Sequence, residues 1–536
     1  MTEFPTPADQ QPPEAALPRR NAFTRFLDGV EWLGNLLPHP VTLFALLALG
    51  IVLLSGLLGW IGVAVVDPRP AGANGVAEDG MIRAVSLVDG DGVRRIFTGL
   101  VDNFTGFAPL GVVLVAMLGV GVAERSGLLS AAVRSLVMNA PPKLVTVAIV
   151  FAGIISNTAS EVGYVVLIPL GGAIYYALGR HPLAGMAAAF AGVSGGYSAN
   201  LLIGTIDPLL AGITQEAAQL IDPDYTVLAT ANWYFMFAST FLVAAIGSLV
   251  SIYIVEPKLG EYDASRADPT ILDEGMMQPL TDNERKGLRW AGIALLGVLA
   301  LMALTLVPDW GILRNAEDGD RMDSPFFDGF VVWILIFFVT IGYAYGRAVG
   351  TMKSDRDVID AMAAALSSLG LYIVLVFFAA QFVAFFGWTN LGAITAVTGA
   401  NFLVSTGMTG PMLFFLFIFL CAVINLSLGS ASAQWAVTAP IFVPMLMLIG
   451  YAPEAIQAAY RIGDSTTNII TPMMSYFGLI LAWATRYQKD LGVGTLIAMM
   501  LPYTIFFITF WSIFFYLWTF VLGIPVGPGS PTYYTP

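Results

Sequence analysis

The sequence predicts an all-α polytopic membrane protein with about nine transmembrane helices and two re-entrant helical hairpins arranged as an inverted repeat. Three observations support this fold class. Hydrophobic residues make up 57% of the 536 positions and charged residues only 11%, whereas soluble domains carry about 25% charged residues. Several apolar runs reach the ~20 residues that a spanning helix needs. Two further apolar stretches are interrupted by short polar segments, one in each half of the chain.

Each interrupted stretch consists of two apolar runs that are too short to span a bilayer, joined by a polar tip. The first tip is SNTASE at residues 156–161, and the second is GSASAQW at residues 429–435. Irregular backbone at membrane depth must be buried in protein or line a wet cavity. We therefore interpret residues 144–178 and 412–450 as re-entrant hairpins. Paired interruptions of this kind point to the binding site of a secondary transporter.

The N-terminal segment gives the expected orientation. Residues 1–30 are polar and Pro-rich at their start, and we expect a disordered cytoplasmic tail. The first apolar run, at residues 41–66, is too long for the h-region of a cleavable signal peptide. Arginines just before this run place the N-terminus in the cytoplasm by the positive-inside rule; they are Arg19, Arg20 and Arg25.

A single transmembrane domain is expected at residues 31–528, followed by a short tail at 529–536. The domain contains two repeats, at about 100–255 and 360–522, with one hairpin in each. An odd number of elements between the copies makes the repeat inverted, as in many alternating-access carriers. The alternative is chance similarity between two Ala/Gly-rich apolar stretches.

Within each repeat, a helix and an amphipathic segment precede the hairpin, and an interrupted helix and a final span follow it. The predicted ranges in the first repeat are 104–122, 124–143, 182–206 (broken at Gly195-Gly196) and 231–255. In the second repeat they are 362–386, 391–404, 453–476 (running on to about 483) and 491–522. Two more helices, at 290–306 and 330–345, follow a long cytoplasmic connection at 256–289.

Composition narrows the class of function. The net charge is −13 and no stretch is both basic and rich in aromatic residues, so we expect no nucleic-acid partner. One cysteine and two histidines are too few for a disulfide framework or for a cysteine or histidine metal cluster. No lysine follows a glycine, which excludes the phosphate loop of a primary pump. Ser194 in GVSG has no downstream histidine to act as the base of a serine protease. We expect no enzyme, and a channel or membrane scaffold is the alternative to a carrier.

Neutral side-chain oxygens are concentrated at the two tips and on the interrupted helices. Hydroxyl, amide and carbonyl oxygens suit a hard monovalent cation. The candidate positions for a coupling ion are Asn157, Thr158, Ser160, Asn200, Ser430 and Asn468. We expect Asn157 and Asn468 to be candidate Na⁺ ligands. Alternatively, these side chains cap helix ends or form hydrogen bonds between helices.

Charged residues within membrane-spanning segments are costly and mark functional sites. Arg461 and Asp464 are three residues apart and share one helix face. A guanidinium binds a carboxylate with two hydrogen bonds, so Arg461 could clamp an anionic substrate; alternatively the two residues form an internal pair that holds the helix. Asp207 could carry a proton, bind a cation or contact substrate, or could only open the turn before Pro208. Trp435 could stack on a substrate ring or pack as core.

Several longer segments resemble the AbgT family of p-aminobenzoyl-glutamate transporters. They are SNTAS at 156–160, AGVSGG at 191–196, DPLLAG at 207–212, GSASAQW at 429–435, APIFVP at 439–444 and AYRIGD at 459–464. The resemblance extends over residues 31–528 and is strongest to the MtrF-type members, which export antimetabolites.

The resemblance implies a homodimer of nine-span protomers in the bacterial inner membrane, with the fold of the dicarboxylate/sodium symporter superfamily. It implies an ion-coupled secondary active transporter, driven by Na⁺ or H⁺ with no other cofactor, that moves p-aminobenzoyl-glutamate-like folate metabolites or exports sulfonamide drugs. The alternative is a sodium-coupled importer of p-aminobenzoyl-glutamate or another dicarboxylate. The substrate and pathway positions of the family fall on Asp207, Ser432, Trp435, Pro453, Arg461, Asp464 and Pro472.

Overall fold

A computed structural model describes residues 38–69, 77–159, 163–263 and 279–535. The expected tail at residues 1–30 and the candidate residue Ser160 lie outside these ranges. Within them the regular secondary structure is helical apart from one small antiparallel strand pair and one isolated bridge. The strands are β1, Ala64–Val66, and β2, Met81–Arg83, with Val65 opposite Ile82.

Nine α-helices lie in the described residues up to Val250. They are α1 Pro40–Ile61, α2 Gly90–Thr105, α3 Ala108–Ser126, α4 Leu128–Met138, α5 Val145–Ser156, α6 Ile168–Ala177, α7 Pro182–Phe190, α8 Ile206–Ala218 and α9 Trp233–Val250. A 3₁₀ turn, Asn157–Ala159, follows α5, and a π-helical turn, Gly163–Leu167, leads into α6. A second π-helical turn, Ala191–Gly195, extends α7.

Two short and two long helices follow. They are α10 Glu256–Leu259, α11 Asp282–Leu306, α12 Pro325–Asp328 and α13 Phe330–Val349. The remaining helices are α14 Asp355–Ser368, α15 Gly370–Trp388, α16 Leu391–Ser405, α17 Leu413–Leu428, α18 Ala431–Met447, α19 Pro453–Asn468, α20 Phe477–Tyr487 and α21 Val493–Tyr516.

Seven helical segments in the described ranges are long and apolar enough to cross a membrane. Helices α4 and α5 are bent by 113° relative to each other, and counting them as one bent span gives an eighth. This confirms an all-helical polytopic membrane protein. The two expected interrupted helices are not among these segments because regular helix ends early in both. The first ends at Gly195 rather than at residue 206, and the second ends at Asn468 rather than at 476.

Both interrupted apolar stretches fold back on themselves. In the first, the Thr146 hydroxyl lies 2.5 Å from the Tyr175 hydroxyl, so the start of α5 meets the end of α6. In the second, the ring centroids of Phe417 and Phe442 lie 5.3 Å apart, so the outer half of α17 meets the outer half of α18. Contacts between the outer ends of two consecutive helices require an antiparallel pair. The polar tips therefore join two antiparallel helix pairs, α5–α6 and α17–α18.

Helix α19 is deeply buried near these pairs. All sixteen of its residues are buried, although only about half of them are apolar. It packs against α17, α18, α21 and α8. Gly463 permits the closest approach, because a Cβ at this position would lie 2.5 Å from the Ile418 carbonyl oxygen of α17. Small residues allow membrane helices to approach this closely.

Candidate functional site

The two polar tips line one cavity of about 220 Å³. The first tip contributes Asn157, and the second contributes Ser430 and Ser432. The remaining lining residues are Tyr164, Tyr197, Thr205, Ile206, Gly429, Ala431, Asn468, Met474, Ser475 and Tyr476. Residues that are far apart in the sequence and come from both halves therefore surround one polar space.

Two unwound segments complete the wall of this cavity. The first connects α7 to α8 and contributes Tyr197 and Thr205; the second connects α19 to α20 and contributes Met474 and Tyr476. The rings of Tyr164 and Tyr476 stack with centroids 4.6 Å apart and planes 10° from parallel. Unwound backbone exposes carbonyl and amide groups that a continuous helix would use internally. The cavity thus offers backbone polar groups, neutral side-chain oxygens and an aromatic face.

A buried ion pair lies directly behind the unwound segment before α8. Nη2 of Arg461 lies 2.6 Å from Oδ1 of Asp207, and the two side chains are only 3% and 4% exposed. The other carboxylate oxygen of Asp207 accepts a hydrogen bond from the Gly204 amide at 2.6 Å. Asp207 lies in the first turn of α8, where the helix dipole favours a negative charge. The partner of Arg461 is thus Asp207 of α8, in the other half of the chain, rather than Asp464 of its own helix.

The charged cluster has unused hydrogen-bonding capacity in this conformation. Arg461 Nε and Asp464 Oδ1 are buried without a hydrogen-bond partner among the described residues, and the Arg461–Asp207 contact lacks hydrogen-bond alignment despite its short distance. Buried polar atoms are nearly always paired in native structures. Unpaired donors and acceptors beside a cavity are typical of a site that a ligand or ion completes.

Asn425 connects the cluster to the end of α19. This wholly buried side chain lies on α17, and its amide nitrogen is 2.7 Å from the Asp464 carbonyl, 3.0 Å from the Thr467 hydroxyl and 2.8 Å from Oδ1 of Asn468. Sequence reasoning missed Asn425. The signal that could have found it is a lone amide within the otherwise apolar run at 412–428.

The candidate ion residues occupy different surroundings. The Thr158 hydroxyl donates to Oδ1 of Asn200 at 2.8 Å, which fastens the first tip to the unwound segment. Asn157 lines the cavity, and its Oδ1 is buried without a partner in the described structure. Ser430 precedes α18 and lines the cavity, and its side chain makes no capping hydrogen bond. Asn157, Ser430 and Asn468 therefore share one cavity, whereas Thr158 and Asn200 bond to each other.

Trp435 packs as core in this conformation. Its side chain is fully buried, it stacks on Tyr460 with ring centroids 4.2 Å apart, and its indole N–H donates to the Thr214 hydroxyl at 2.9 Å. Thr214 in turn donates to Oε1 of Gln457 at 2.6 Å. This chain of contacts ties α18 to α8 and α19, and sequence reasoning did not identify Thr214 or Gln457.

Two prolines bound the interrupted helix α19. Pro453 begins α19 and is buried; Pro472 lies in the unwound segment after it. Glu454, which sequence reasoning also missed, is 3% exposed and accepts a hydrogen bond from the Tyr225 hydroxyl at 2.9 Å. Its signal in the sequence is an acidic residue directly after the proline that begins α19.

Comparison with known proteins identifies the family. The AbgT putative transporter family matches residues 25–534, nearly the whole chain. The chain belongs to the AbgT family. This membership confirms the resemblance and makes the protein a transporter rather than an enzyme.

Three AbgT-family relatives show how far the likeness extends. The p-aminobenzoyl-glutamate transport protein of Escherichia coli (strain K12) is 35% identical over 516 residues, which cover 96% of this chain and 98% of the relative. The solved structure of Neisseria gonorrhoeae MtrF, described as an antimetabolite efflux pump, is 59% identical, with a TM-score of 0.89 over 95% of this chain and 100% of MtrF. The solved structure of the Alcanivorax borkumensis YdaH transporter is 46% identical, with a TM-score of 0.83 over 92% of this chain and 100% of YdaH.

Proposed function

We propose that this AbgT-family protein is an ion-coupled secondary active transporter that moves p-aminobenzoyl-glutamate-like folate metabolites and exports sulfonamide antimetabolites across the bacterial inner membrane. One observation carries the proposal: both polar tips and both unwound segments line a single cavity, beside the buried Arg461–Asp207 pair. Secondary transporters place substrate and coupling ion where broken helices meet.

The chemistry of the cavity suits a substrate with an aromatic ring and a carboxylate. Arg461 can present its guanidinium fork to a carboxylate once its contact with Asp207 loosens. Tyr164 and Tyr476 offer an aromatic face, and Ser432 offers a hydroxyl. The names of the Escherichia coli and Neisseria gonorrhoeae relatives, which refer to p-aminobenzoyl-glutamate and to antimetabolites, support this substrate class.

The size of the cavity supports a cycle in which the hairpins move. At about 220 Å³, it is smaller than the roughly 300–1,000 Å³ of sites that hold drug-sized ligands. A p-aminobenzoyl-glutamate molecule would therefore need the tips to separate. We propose elevator-like or rocking alternating access, in which α17–α18 moves relative to α5–α6 and carries Ser432 and Trp435 with it.

The finer fold assignments are part of the same proposal. The interrupted helices α7 and α19–α20, added to the seven long helical segments, give nine spans, with α5–α6 and α17–α18 as re-entrant hairpins. The two repeats are inverted, the N-terminus is cytoplasmic and the protein is a homodimer. The placement of α19 inside a ring of helices from both halves supports the repeat.

We propose that the coupling ion binds beside the substrate, with Asn157 and Asn468 as ligands of Na⁺. The partnerless Oδ1 of Asn157 and the position of Asn468 on the same cavity support this assignment. No cluster of three His, Cys, Asp or Glu side chains fit for a metal ion occurs among the residues with described positions, so a divalent-metal site has no support there. Proton coupling through a carboxylate, and sodium-coupled import rather than export, are the competing versions.

The test is counterflow of labelled p-aminobenzoyl-glutamate and of a labelled sulfonamide in proteoliposomes, with imposed sodium or pH gradients. We expect saturable flux that one of the two gradients drives, and loss of flux in Asp207→Ala and Arg461→Ala. Asp91→Asn is the matched control, because Asp91 pairs with Arg94 on the surface of α2 and is 92% exposed. Flux that is unaffected by collapsing both gradients, or wild-type flux in both alanine variants, would contradict the proposal.

A further inference from the structure

A second pocket, of about 310 Å³, is lined almost entirely by apolar atoms. Its walls come from α11, α12 and α13, with Trp233 from the start of α9. The thirteen lining residues include neither a charged side chain nor a hydroxyl or amide side chain. They are Leu202, Ile203, Trp233, Leu299, Met302, Leu306, Phe326, Phe327, Phe330, Trp333, Ile334, Phe337 and Phe338.

The pocket is accessible from the lipid-facing surface of α11. Leu299 on its rim is 47% exposed, and its neighbours Leu296 and Leu304 on the same helix are 67% and 52% exposed. In a membrane-spanning helix such side chains face acyl chains. Hydrocarbon is therefore the medium at the mouth of the pocket. A sulfonamide or a dicarboxylate would find no charged, hydroxyl or amide side chain in it and would enter at a high desolvation cost.

The loop that follows α11 closes one end of this pocket. Leu313 packs against Phe326 and Phe327, and the Phe326 amide donates to the Leu313 carbonyl at 3.2 Å. Between residues 308 and 328 the chain has six carboxylates and two arginines, a net charge of −4. All six carboxylates are exposed, and they are Asp309, Glu317, Asp318, Asp320, Asp323 and Asp328.

We propose that the pocket binds one acyl chain of a zwitterionic aminophospholipid of the phosphatidylethanolamine type, with the lipid ammonium group beside the acidic loop. The apolar lining selects the chain, and the negative loop selects the head group, because it attracts an ammonium and repels an anionic lipid. A lateral acyl-chain site is separate from the polar cavity and its substrate.

The position of the site gives the lipid a mechanical connection to the transport cavity. Leu202 and Ile203 belong to the unwound segment before α8, and the same segment contributes Tyr197 and Thr205 to the polar cavity. The indole N–H of Trp233 donates to the Leu201 carbonyl at 3.0 Å, which holds this segment against the pocket. A bound acyl chain therefore contacts both the α11–α13 pair and a wall of the transport cavity.

The experiment is photolabelling in proteoliposomes with two probes that carry the same diazirine acyl chain, one on phosphatidylethanolamine and one on phosphatidylglycerol, followed by peptide mapping. We expect the phosphatidylethanolamine probe to label peptides of α11 and α13 around Met302 and Trp333 more strongly than the phosphatidylglycerol probe. Met302→Trp fills the pocket and should abolish this labelling. Leu304→Trp, on the lipid-facing side of the same helix and outside the pocket, should retain it.

A second variant tests the head-group part independently. The triple change Asp318→Asn, Asp320→Asn and Asp323→Asn should preserve labelling but remove the preference for phosphatidylethanolamine. The proposal fails if Met302→Trp is labelled like the wild type, or if the wild type labels equally with both probes. It also fails if an excess of a water-soluble sulfonamide displaces the probe, which would show that a drug fills the pocket. A disulfide between Leu299→Cys residues of two copies would likewise contradict it, because a partner subunit would then cover the pocket.

Discussion

The ion pair between Arg461 and Asp207 gives the sharpest stability prediction, since it joins the two halves of the chain in a buried site. Removing one partner of a buried pair leaves an uncompensated charge and typically costs about 3–5 kcal/mol. The two single changes should differ, because Asp464 lies three residues from Arg461 on the same helix face. In Arg461→Gln, Asp207 loses its ion-pair partner, and the buried Asp464 loses the cation on its own helix face. In Asp207→Asn, Arg461 can turn to Asp464.

We therefore expect Arg461→Gln to cost the full ~3–5 kcal/mol and Asp207→Asn clearly less. The double variant should cost less than the sum of the two, with a coupling energy of about 0.5–3 kcal/mol. The assay is the thermal denaturation midpoint of the purified protein in detergent, followed by tryptophan fluorescence at one scan rate. Equal midpoints for the two single variants, or a larger loss in Asp207→Asn than in Arg461→Gln, would refute this reading of the cluster.

Three other predictions concern single positions. Gly429→Ala should strongly slow transport in the counterflow assay, because Gly429 has φ +58° and a Cβ there would lie 3.0 Å from the Met473 carbonyl carbon. The control is Gly494→Ala, which has open space around it and should match the wild type. Asn425→Leu should lower the denaturation midpoint, because it removes the hydrogen bonds of a buried amide and unsatisfied buried polar groups cost about 1–3 kcal/mol each. The control is Val423→Leu on the exposed face of α17, and equal midpoints for the two variants would contradict a structural role for the Asn425 amide. Burial raises the pKa of Asp67, but hydrogen bonds from Arg69 outweigh it and hold the pKa below its usual 3.8. The ionised Asp67 carboxylate therefore stabilises the fold above pH 3.8, and this stabilisation is lost as the pH falls through the lower pKa of the folded state. The difference in denaturation midpoint between the wild type and Asp67→Asn should be present at pH 7 and should shrink below pH 3.8.

Hydropathy alone could predict the two tips, because a polar residue within an apolar run is visible without any tertiary information. The positions of Asn157, Ser430 and Ser432 on one cavity agree with that interpretation of the tips. The ends of the interrupted helices are harder to predict from the sequence. Gly195 and Asn468 end regular helix where the unwound segments begin, and these ends depend on contacts with other helices, such as the bond between the Ser198 amide and the Ser465 hydroxyl.

The partnerships within the site could not be predicted from one sequence. Arg461 and Asp207 lie in different halves of the chain, whereas Arg461 and Asp464 are close in sequence, so local spacing offers only Asp464 as a candidate partner. Trp435 had two equally plausible roles, and only the positions of Tyr460 and Thr214 show that it packs as core in this conformation. Asn425 was overlooked because its bonds to Asp464 and Asn468 arise from helix packing.

We infer that the two polar tips form one substrate site. Cys421 is the single cysteine and is fully buried, so a cysteine introduced at the cavity can be labelled selectively. The measurement is the rate at which a small thiol reagent modifies Asn157→Cys and Ser432→Cys in proteoliposomes, with and without p-aminobenzoyl-glutamate. We predict that the substrate protects both cysteines over the same concentration range. Protection of only one cysteine, or of neither, would contradict a shared site.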